Sequence, residues 1–190
     1  MDTTKSSSSS IAKIFAHVIQ ELLQKTTGKK FHISTTIMQI PSIKLSGDIS
    51  SFVTYYGDYN GLMVLNFEGA AALEVVNSML LGMGLGEEDL PKHFSSDEVR
   101  NNIGEFTNQV IGKIRSTIQL KYDVAAKANI PAVVPITVPL SITMATKGQS
   151  EMDCLRIIFT TENNNRFHME LAIEPMAWQP LLDGKGASSF

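Results

Sequence analysis

The segment between residues 96 and 119 has the strongest helical pattern in the chain. Its apolar residues recur every three or four positions, as on one face of an α-helix: Val99, Ile103, Phe106, Val110, Ile114 and Ile118. Ser95 and Glu98 have the spacing of a capping box, and acidic residues favour a helix N-terminus. At 1.5 Å per residue the pattern predicts a helix of roughly 35 Å, whose apolar face must cover a large surface.

Two further helices and six strand-like runs surround this segment. One helix carries apolar residues over 11–23 and stops at Gly28, and the other is marked by apolar residues over 73–83. The strand-like runs cover 30–40, 49–57, 61–67, 139–147, 153–161 and 166–174. Strands joined by short turns are mostly antiparallel. We therefore predict an α+β fold, a mostly antiparallel sheet of about six strands with helices packed on one face. Each half of the chain is a helix followed by three strands.

Length and composition limit the domain organisation and the partners. A chain of 190 residues suits one core, and the five consecutive serines at 6–10 are of low complexity. We expect a disordered tail over 1–10 and a single domain over 11–190. A net charge of -3 gives no reason to expect nucleic acid or a membrane surface as partner.

The sequence also indicates where the chain resides and which chemistry it lacks. No apolar run approaches the roughly 20 residues of a membrane helix, and the first residues do not resemble a signal peptide, so we expect a cytoplasmic protein. The single cysteine, Cys154, excludes an internal disulfide and is interpreted as a small buried apolar residue. The four histidines are scattered without ligand spacing, which predicts no metal site.

A row of polar and glycine residues lies opposite the apolar stripe of the long helix. Its members, at helical spacing, are Asn101, Gly104, Glu105, Asn108 and Gly112. A glycine inside a helix costs roughly 1 kcal/mol relative to alanine, which is unexplained if this face only meets water. Bare backbone would let another protein surface approach. The alternative is that Glu105 and Asn108 are simply solvated, as such residues usually are.

The spacing of this row resembles the active helix of the CheX/CheC-type chemotaxis phosphatases. In that family a Glu is followed after two residues by Asn, and after twenty-two more by Pro, as in Glu105, Asn108 and Pro131. The stretches IGEFTNQVIGKI and GLMVLNF…NSMLLGM are also similar to the family. One departure is Asn101, where the family usually has Asp or Ser.

Two other pairs help to decide how many sites the chain has. Glu74 and Asn77 have the same Glu-x-x-Asn spacing but no proline at the required distance, and are interpreted as plain helix surface. The first helix offers only Glu21 and Gln24, again without the proline. The chain therefore resembles the single-site CheX type more than the two-site CheC type.

The resemblance implies a phosphatase that hydrolyses the phosphoaspartate of a CheY-like response regulator. Asn108 would position a water for in-line attack, and Glu105 would pair with a lysine of the receiver. Asn101, Gly104, Gly112 and Pro131 would belong to the partner-binding surface. No cofactor of its own is expected, because Mg²⁺ is supplied by the phosphorylated receiver. The resemblance also implies a homodimer.

Two other functions remain open. The chain could be a non-catalytic module that binds a response regulator or the flagellar switch, because switch proteins such as FliM share this fold without needing the catalytic pair. It could also be a purely structural dimerisation domain, which would leave the helix glycines unexplained. The presence of both Glu105 and Asn108 favours the phosphatase.

Overall fold

The computed structural model describes residues 3–143 and 151–181. Within these ranges it contains the helices α1 (Thr3–Thr27), α2 (Gly69–Gly82) and α3 (Asp97–Tyr122), and a short 3-10 turn at Glu87–Asp89. The first five strands are β1 (His32–Ile33), β2 (Met38–Gln39), β3 (Ile43–Leu45), β4 (Ile49–Gly57) and β5 (Gly61–Phe67). The others are β6 (Ala126–Ala128), β7 (Ala132–Pro135), β8 (Leu140–Ile142), β9 (Asp153–Thr160) and β10 (Arg166–Ile173).

The main sheet has six strand positions, and all its pairings are antiparallel. The order is β1-β9-β10-β5-β4-β6, with β2 continuing beside β9 and β7 beside β4. The long hairpins β4–β5 and β9–β10, one from each half of the chain, meet at the centre through β5 and β10. The predicted α+β fold with a mostly antiparallel sheet is confirmed.

The two faces of the sheet are covered differently. All three helices pack on one face, where alternate residues of the central strands join the main core: Val53, Met63, Leu65, Phe67, Ile157, Phe159, Phe167, Met169 and Leu171. On the opposite face a smaller apolar cluster forms under the two-stranded ribbon β3–β8. The central strands are therefore buried on both faces, whereas α3 is free to expose one side.

Two buried polar side chains fasten the ribbon to the sheet. The Glu170 carboxylate, which has no exposed surface, accepts hydrogen bonds from the Lys44 N–H at 2.6 Å and from Arg156 Nε at 2.9 Å. The Asn66 amide accepts from the Ser46 N–H and donates to the Lys44 carbonyl, both at 2.9 Å. The strand β3 pairs only with the short strand β8. The Glu170 and Asn66 side chains therefore form hydrogen bonds with backbone groups of this segment that a longer neighbouring strand would otherwise satisfy.

The residues expected to form a tail over 1–10 are described by the structure from residue 3 onward, where they belong to a helix. Helix α1 begins at Thr3 and includes the serine tract. Ser8 is buried, and its hydroxyl donates to the Asp153 carboxylate at 2.7 Å. Serine is a poor indicator of helix from sequence alone, and here a long-range contact with β9 decides the conformation.

Three other boundaries differ from the sequence-based expectations. The N-cap of α3 is Ser96, not Ser95, because the Ser96 hydroxyl accepts from the Val99 N–H at 3.2 Å. The run 30–40 forms two strands of two residues each. The run 139–147 contains β8, and its last four residues lie outside the described ranges.

Candidate functional site

Helix α3 presents one face to the core and the opposite face to solvent. All six residues of the predicted apolar stripe are buried. Glu105 and Asn108 are exposed, as the sequence pattern predicts, and so is Asn101. A 26-residue amphipathic helix is a rigid support, so these side chains project from a fixed backbone.

A groove of about 400 Å³ runs between α3 and the strand segment that follows it. One wall consists of α3 residues: Arg100, Asn101, Gly104, Glu105 and Asn108. The other wall consists of Ile130, Pro131 and Val133. The fold thus brings five of the six predicted site residues together, and Gly112 lies outside the groove lining.

The second wall is a β-bulge on the edge of the sheet. Phe52 pairs with Ala132 and Tyr55 with Ala128, so two residues of β4 face three residues, 129–131. The bulge is held by Asn129, whose N–H donates to the Thr54 carbonyl at 3.0 Å. Its side-chain amide donates to the Thr54 hydroxyl at 2.6 Å. These two hydrogen bonds therefore hold the bulge in a defined conformation.

The bulge explains the distance between Asn108 and Pro131 in the sequence. Proline has no N–H to give to a ladder, so edge strands and bulges are where it is tolerated. The intervening residues complete α3, turn at Asp123 with a left-handed φ of 55°, and form β6. This path returns the chain beside the helix it has just left, and Pro131 faces the groove.

The two glycines of the predicted row have different surroundings. A Cβ atom added to Gly104 would lie 3.3 Å from Cγ2 of Val133, a closer contact than side chains normally make. Gly104 therefore allows β7 to pack tightly against α3, a reason that the sequence does not show. A Cβ atom added to Gly112 would meet nothing within 4 Å. Packing within the described residues does not explain Gly112.

The polar groups of the groove are partly restrained. Glu105 Oε1 accepts a hydrogen bond from Gln109 Nε2 at 3.1 Å, one turn along α3. The Arg100 guanidinium donates to the Ser95 carbonyl at 2.8 Å and forms an ion pair with Asp97. The Asn108 amide makes no hydrogen bond to any described residue. Its oxygen and NH₂ group can accept from and donate to a water or a bound partner.

Sequence reasoning missed three residues of the groove: Arg100, Ile130 and Val133. Ile130 immediately precedes Pro131, which is the only signal that could have drawn attention to it. Its side chain is 91% exposed, the most exposed of the large apolar residues in the described ranges. Arg100 lies one turn before Gly104 on α3, so helical spacing could have indicated it, whereas Val133 has no sequence signal because the sheet register decides which strand residues face the helix.

The second Glu-x-x-Asn pair is structural, so the interpretation as plain helix surface is wrong. The Glu74 carboxylate accepts from Thr161 Oγ1 at 2.6 Å and from Asn165 Nδ2 at 2.7 Å. Asn77 Nδ2 donates to the Pro91 carbonyl at 3.3 Å. Both side chains are half-buried and engaged within the fold, which removes them as candidates for a second site.

The remaining predicted features are the single cysteine, metal ligation and membrane-spanning helices. Cys154 is half-buried, and burial raises the pKa of its thiol, as do the nearby Glu170 and Asp153 carboxylates. Among the described residues, no three of His, Cys, Asp and Glu are grouped as metal ligands would be. None of the helices in the described ranges is long and apolar enough to span a membrane.

Comparison with solved structures identifies the fold. The crystal structure of the chemotaxis protein CheX from Desulfovibrio desulfuricans is similar over 87% of this chain and 99% of that one, with a TM-score of 0.68 and 23% identity. The CheX–CheY–BeF3–Mg²⁺ complex from Borrelia burgdorferi matches over 86% and 97%, with a TM-score of 0.60 and 14% identity. FliY from Thermotoga maritima matches over 92% and 91%, with a TM-score of 0.62 and 16% identity.

These likenesses define the chain as a protein of the CheX/CheC-like fold, which confirms the fold implied by the sequence resemblance. The chain belongs to the family described as "Protein of unknown function (DUF3334)", whose profile matches residues 2–185. No curated protein matches its sequence.

Proposed function

We propose that this protein is a phosphatase for the phosphoaspartate of a CheY-like response regulator in the cytoplasm. The receiver domain supplies the acyl phosphate, its Mg²⁺ and its lysine, and this chain supplies the groove beside α3. Water attacks phosphorus, the bond from phosphorus to the aspartate oxygen breaks, and the products are the aspartate carboxylate and inorganic phosphate. The proton lost by the water passes to phosphate or solvent.

The observation that carries the proposal is the groove that joins Glu105 and Asn108 to Pro131. Both polar side chains are exposed on a rigid helix, and the proline that completes the family spacing lies on the opposite wall. In addition, the similar CheX from Borrelia burgdorferi occurs in a complex with CheY, BeF3 and Mg²⁺. A receiver domain is therefore the partner that best suits this site.

Asn108 would act by positioning the attacking water. A loose phosphoryl-transfer transition state needs a nucleophile held in line more than it needs a strong base. The amide has no hydrogen bond to any described residue, so both its oxygen and its NH₂ group are available to one water. Catalysis would thus come from geometry.

Glu105 would fix the docking register through a charge-assisted hydrogen bond to the receiver lysine. Its bond from Gln109 leaves the second carboxylate oxygen, Oε2, for that contact. Asn101, at the end of the same row, can hydrogen-bond to the partner but lacks the negative charge of an aspartate. The carboxylate that the partner meets on this row is therefore that of Glu105.

The alternative is a non-catalytic module that binds a response regulator or a flagellar switch component. The similarity to the FliM middle domain from H. pylori supports it, because that match has a TM-score of 0.57, close to the 0.60 of the Borrelia CheX. This alternative requires the groove for binding only and gives Asn108 no special role.

A direct assay separates the two functions. Purified receiver domains of the source organism are phosphorylated with acetyl phosphate and Mg²⁺, freed of excess reagent, and followed for phosphate release with and without this protein. Accelerated release from at least one receiver supports the phosphatase. Binding to a phosphorylated receiver without acceleration supports the non-catalytic module, and the absence of both contradicts the proposed function.

A further inference from the structure

We infer that Ile130, on the bulge facing α3, is an apolar docking contact for the receiver domain. This inference rests on the proposed function. It adds the bulge wall of the groove to the proposed partner-binding surface. The α3 wall of the groove carries the polar groups, and the bulge wall carries an exposed apolar side chain.

The exposure of Ile130 has no explanation within the described fold. Ile130 is 91% exposed, the highest value among the large apolar residues of the described ranges, and it lines the groove, whereas the neighbouring Asn129 is bonded to Thr54. A bulge with a proline also keeps another strand from adding to the sheet edge. Protection of the sheet edge needs only an irregular backbone. It therefore does not explain why a large apolar side chain stands at the tip of the bulge.

The bulge decides the position of this side chain. Three residues stand opposite two of β4, so the backbone bends away from the ladder and Ile130 reaches the groove lining. Asn129 holds the bend through its two hydrogen bonds to Thr54. The backbone at Ile130 is thus held in place before any partner binds, which lowers the backbone entropy lost on docking.

A receiver docked at the polar pair must also meet Ile130. Glu105, Asn108 and Ile130 line one groove of about 400 Å³, so a surface that brings a phosphoaspartate to Asn108 passes over the bulge. Apolar contacts beside a polar centre exclude water from it, as around interface hot spots. Ile130 would therefore contribute to affinity and take no part in the chemical step.

The test uses the receiver whose dephosphorylation the wild-type protein accelerates. Ile130→Ser should raise the receiver concentration needed for half-maximal rate roughly tenfold, equivalent to about 1.4 kcal/mol. The rate at saturating receiver should stay within about twofold, because uniform binding affects KM and not kcat. Ile130→Leu, which keeps the apolar surface, should behave as the wild type.

Leu120 provides the matched control. It is 80% exposed and lies near the end of α3, outside the groove lining. Leu120→Ser should change neither the half-maximal concentration nor the saturating rate. Unchanged thermal unfolding of all three variants would show that the fold is preserved, as expected for exposed positions.

The possible outcomes separate this inference from the proposed function. If the wild type accelerates dephosphorylation and Ile130→Ser has an unchanged half-maximal concentration, the inference is wrong and the phosphatase stands. If no receiver is dephosphorylated or bound, both fail. If Ile130→Ser instead dissociates a dimer of this chain without altering receiver affinity, the side chain serves self-association and the inference is overturned.

Discussion

A Cβ atom placed on Gly104 would lie 3.3 Å from Cγ2 of Val133, whereas the equivalent atom on Gly112 would meet nothing. The same change in two glycines of one helix should therefore have different results. Alanine removes roughly 1 kcal/mol of helix penalty at either position, but at Gly104 the gain is offset by crowding against β7.

We expect Gly112→Ala to stabilise the protein by about 0.5–1 kcal/mol and Gly104→Ala to give a smaller gain or a loss. Urea denaturation of the two variants and the wild type measures both free energies of unfolding. Equal stabilisation by both alanines would mean that Val133 of β7 does not pack closely against Gly104 of α3.

Alanine substitutions of Asn108 and Glu105 should affect turnover and receiver affinity differently if the proposed function holds. Asn108→Ala should lower kcat on the phosphorylated receiver by at least about tenfold with little change in affinity, because its contact is made in the transition state. Stopped-flow phosphate release together with receiver titration separates the two quantities. Asn102→Ala is the control, because Asn102 lies on the same helix but outside the groove, and its amide bonds only to the Glu98 carbonyl.

Glu105→Ala should weaken receiver binding as well as turnover. The loss of a hydrogen bond between charged groups is expected to reduce affinity by about 1.5–3 kcal/mol. Glu98→Ala removes an exposed carboxylate from the same helix and should leave affinity unchanged. Full activity of Asn108→Ala or an unchanged affinity of Glu105→Ala would contradict the roles assigned to these side chains.

Glu74→Ala should destabilise the fold without affecting the reaction. Its carboxylate accepts hydrogen bonds from Thr161 and Asn165, which hold the turn between β9 and β10. Leaving these donors without a partner costs about 1–3 kcal/mol, and thermal unfolding would show the loss. A lower kcat per folded molecule, with receiver affinity retained, would indicate a second active position that the structure does not suggest.

Glu170 should make stability depend on pH in the acidic range. Burial alone raises the pKa of its carboxyl, but hydrogen bonds from His168, the Lys44 N–H and Arg156, together with the Arg156 charge, bring the pKa below its usual value. A lowered pKa in the folded state means that the unfolded chain binds the proton first. Its contribution is complete above the unfolded value of about 4.3 and is lost as the pH falls through the folded pKa.

Glu170→Gln should therefore flatten the fall of stability below about pH 5, while lowering stability at pH 7 by roughly 3 kcal/mol, since Arg156 loses its partner. Urea unfolding at a series of pH values measures both effects. Glu87→Gln, at an exposed acid of the 3-10 turn, is the control and should leave the curve unaltered. If the free energy of unfolding of Glu170→Gln fell at acidic pH as steeply as that of the wild type, other carboxyl groups would be responsible for the fall.

The homodimer remains a proposal, and the structure suggests where to test it. Both sheet edges consist of short strands, and the β6–β7 edge is interrupted by the bulge, so pairing of edges is disfavoured. Val138, just before β8, and Leu140, the first residue of β8, are exposed by 67% and 56% and offer an apolar surface instead. Light scattering should give a dimer that Leu140→Ser weakens, and a monomer at high concentration would contradict the proposal without affecting the phosphatase.

The sequence alone determined the features that depend on local periodicity. The buried stripe of α3, the exposure of Glu105 and Asn108, the central hairpins and the α+β class all follow from spacing along the chain, because helices and strands impose their own period on buried residues.

Only the tertiary structure decided what lies across from each of these elements. The burial of Ser8, the capture of Glu74 by a distant turn, and the ion pair of Arg156 with Glu170 all join residues more than ten positions apart. The bulge that carries Ile130 to the groove depends on the register between β4 and its partners, where one extra residue changes which side chains face the helix. Local sequence periodicity does not determine that register, so of the second wall only Pro131 was indicated by the sequence, and Ile130 and Val133 appear only in the folded chain.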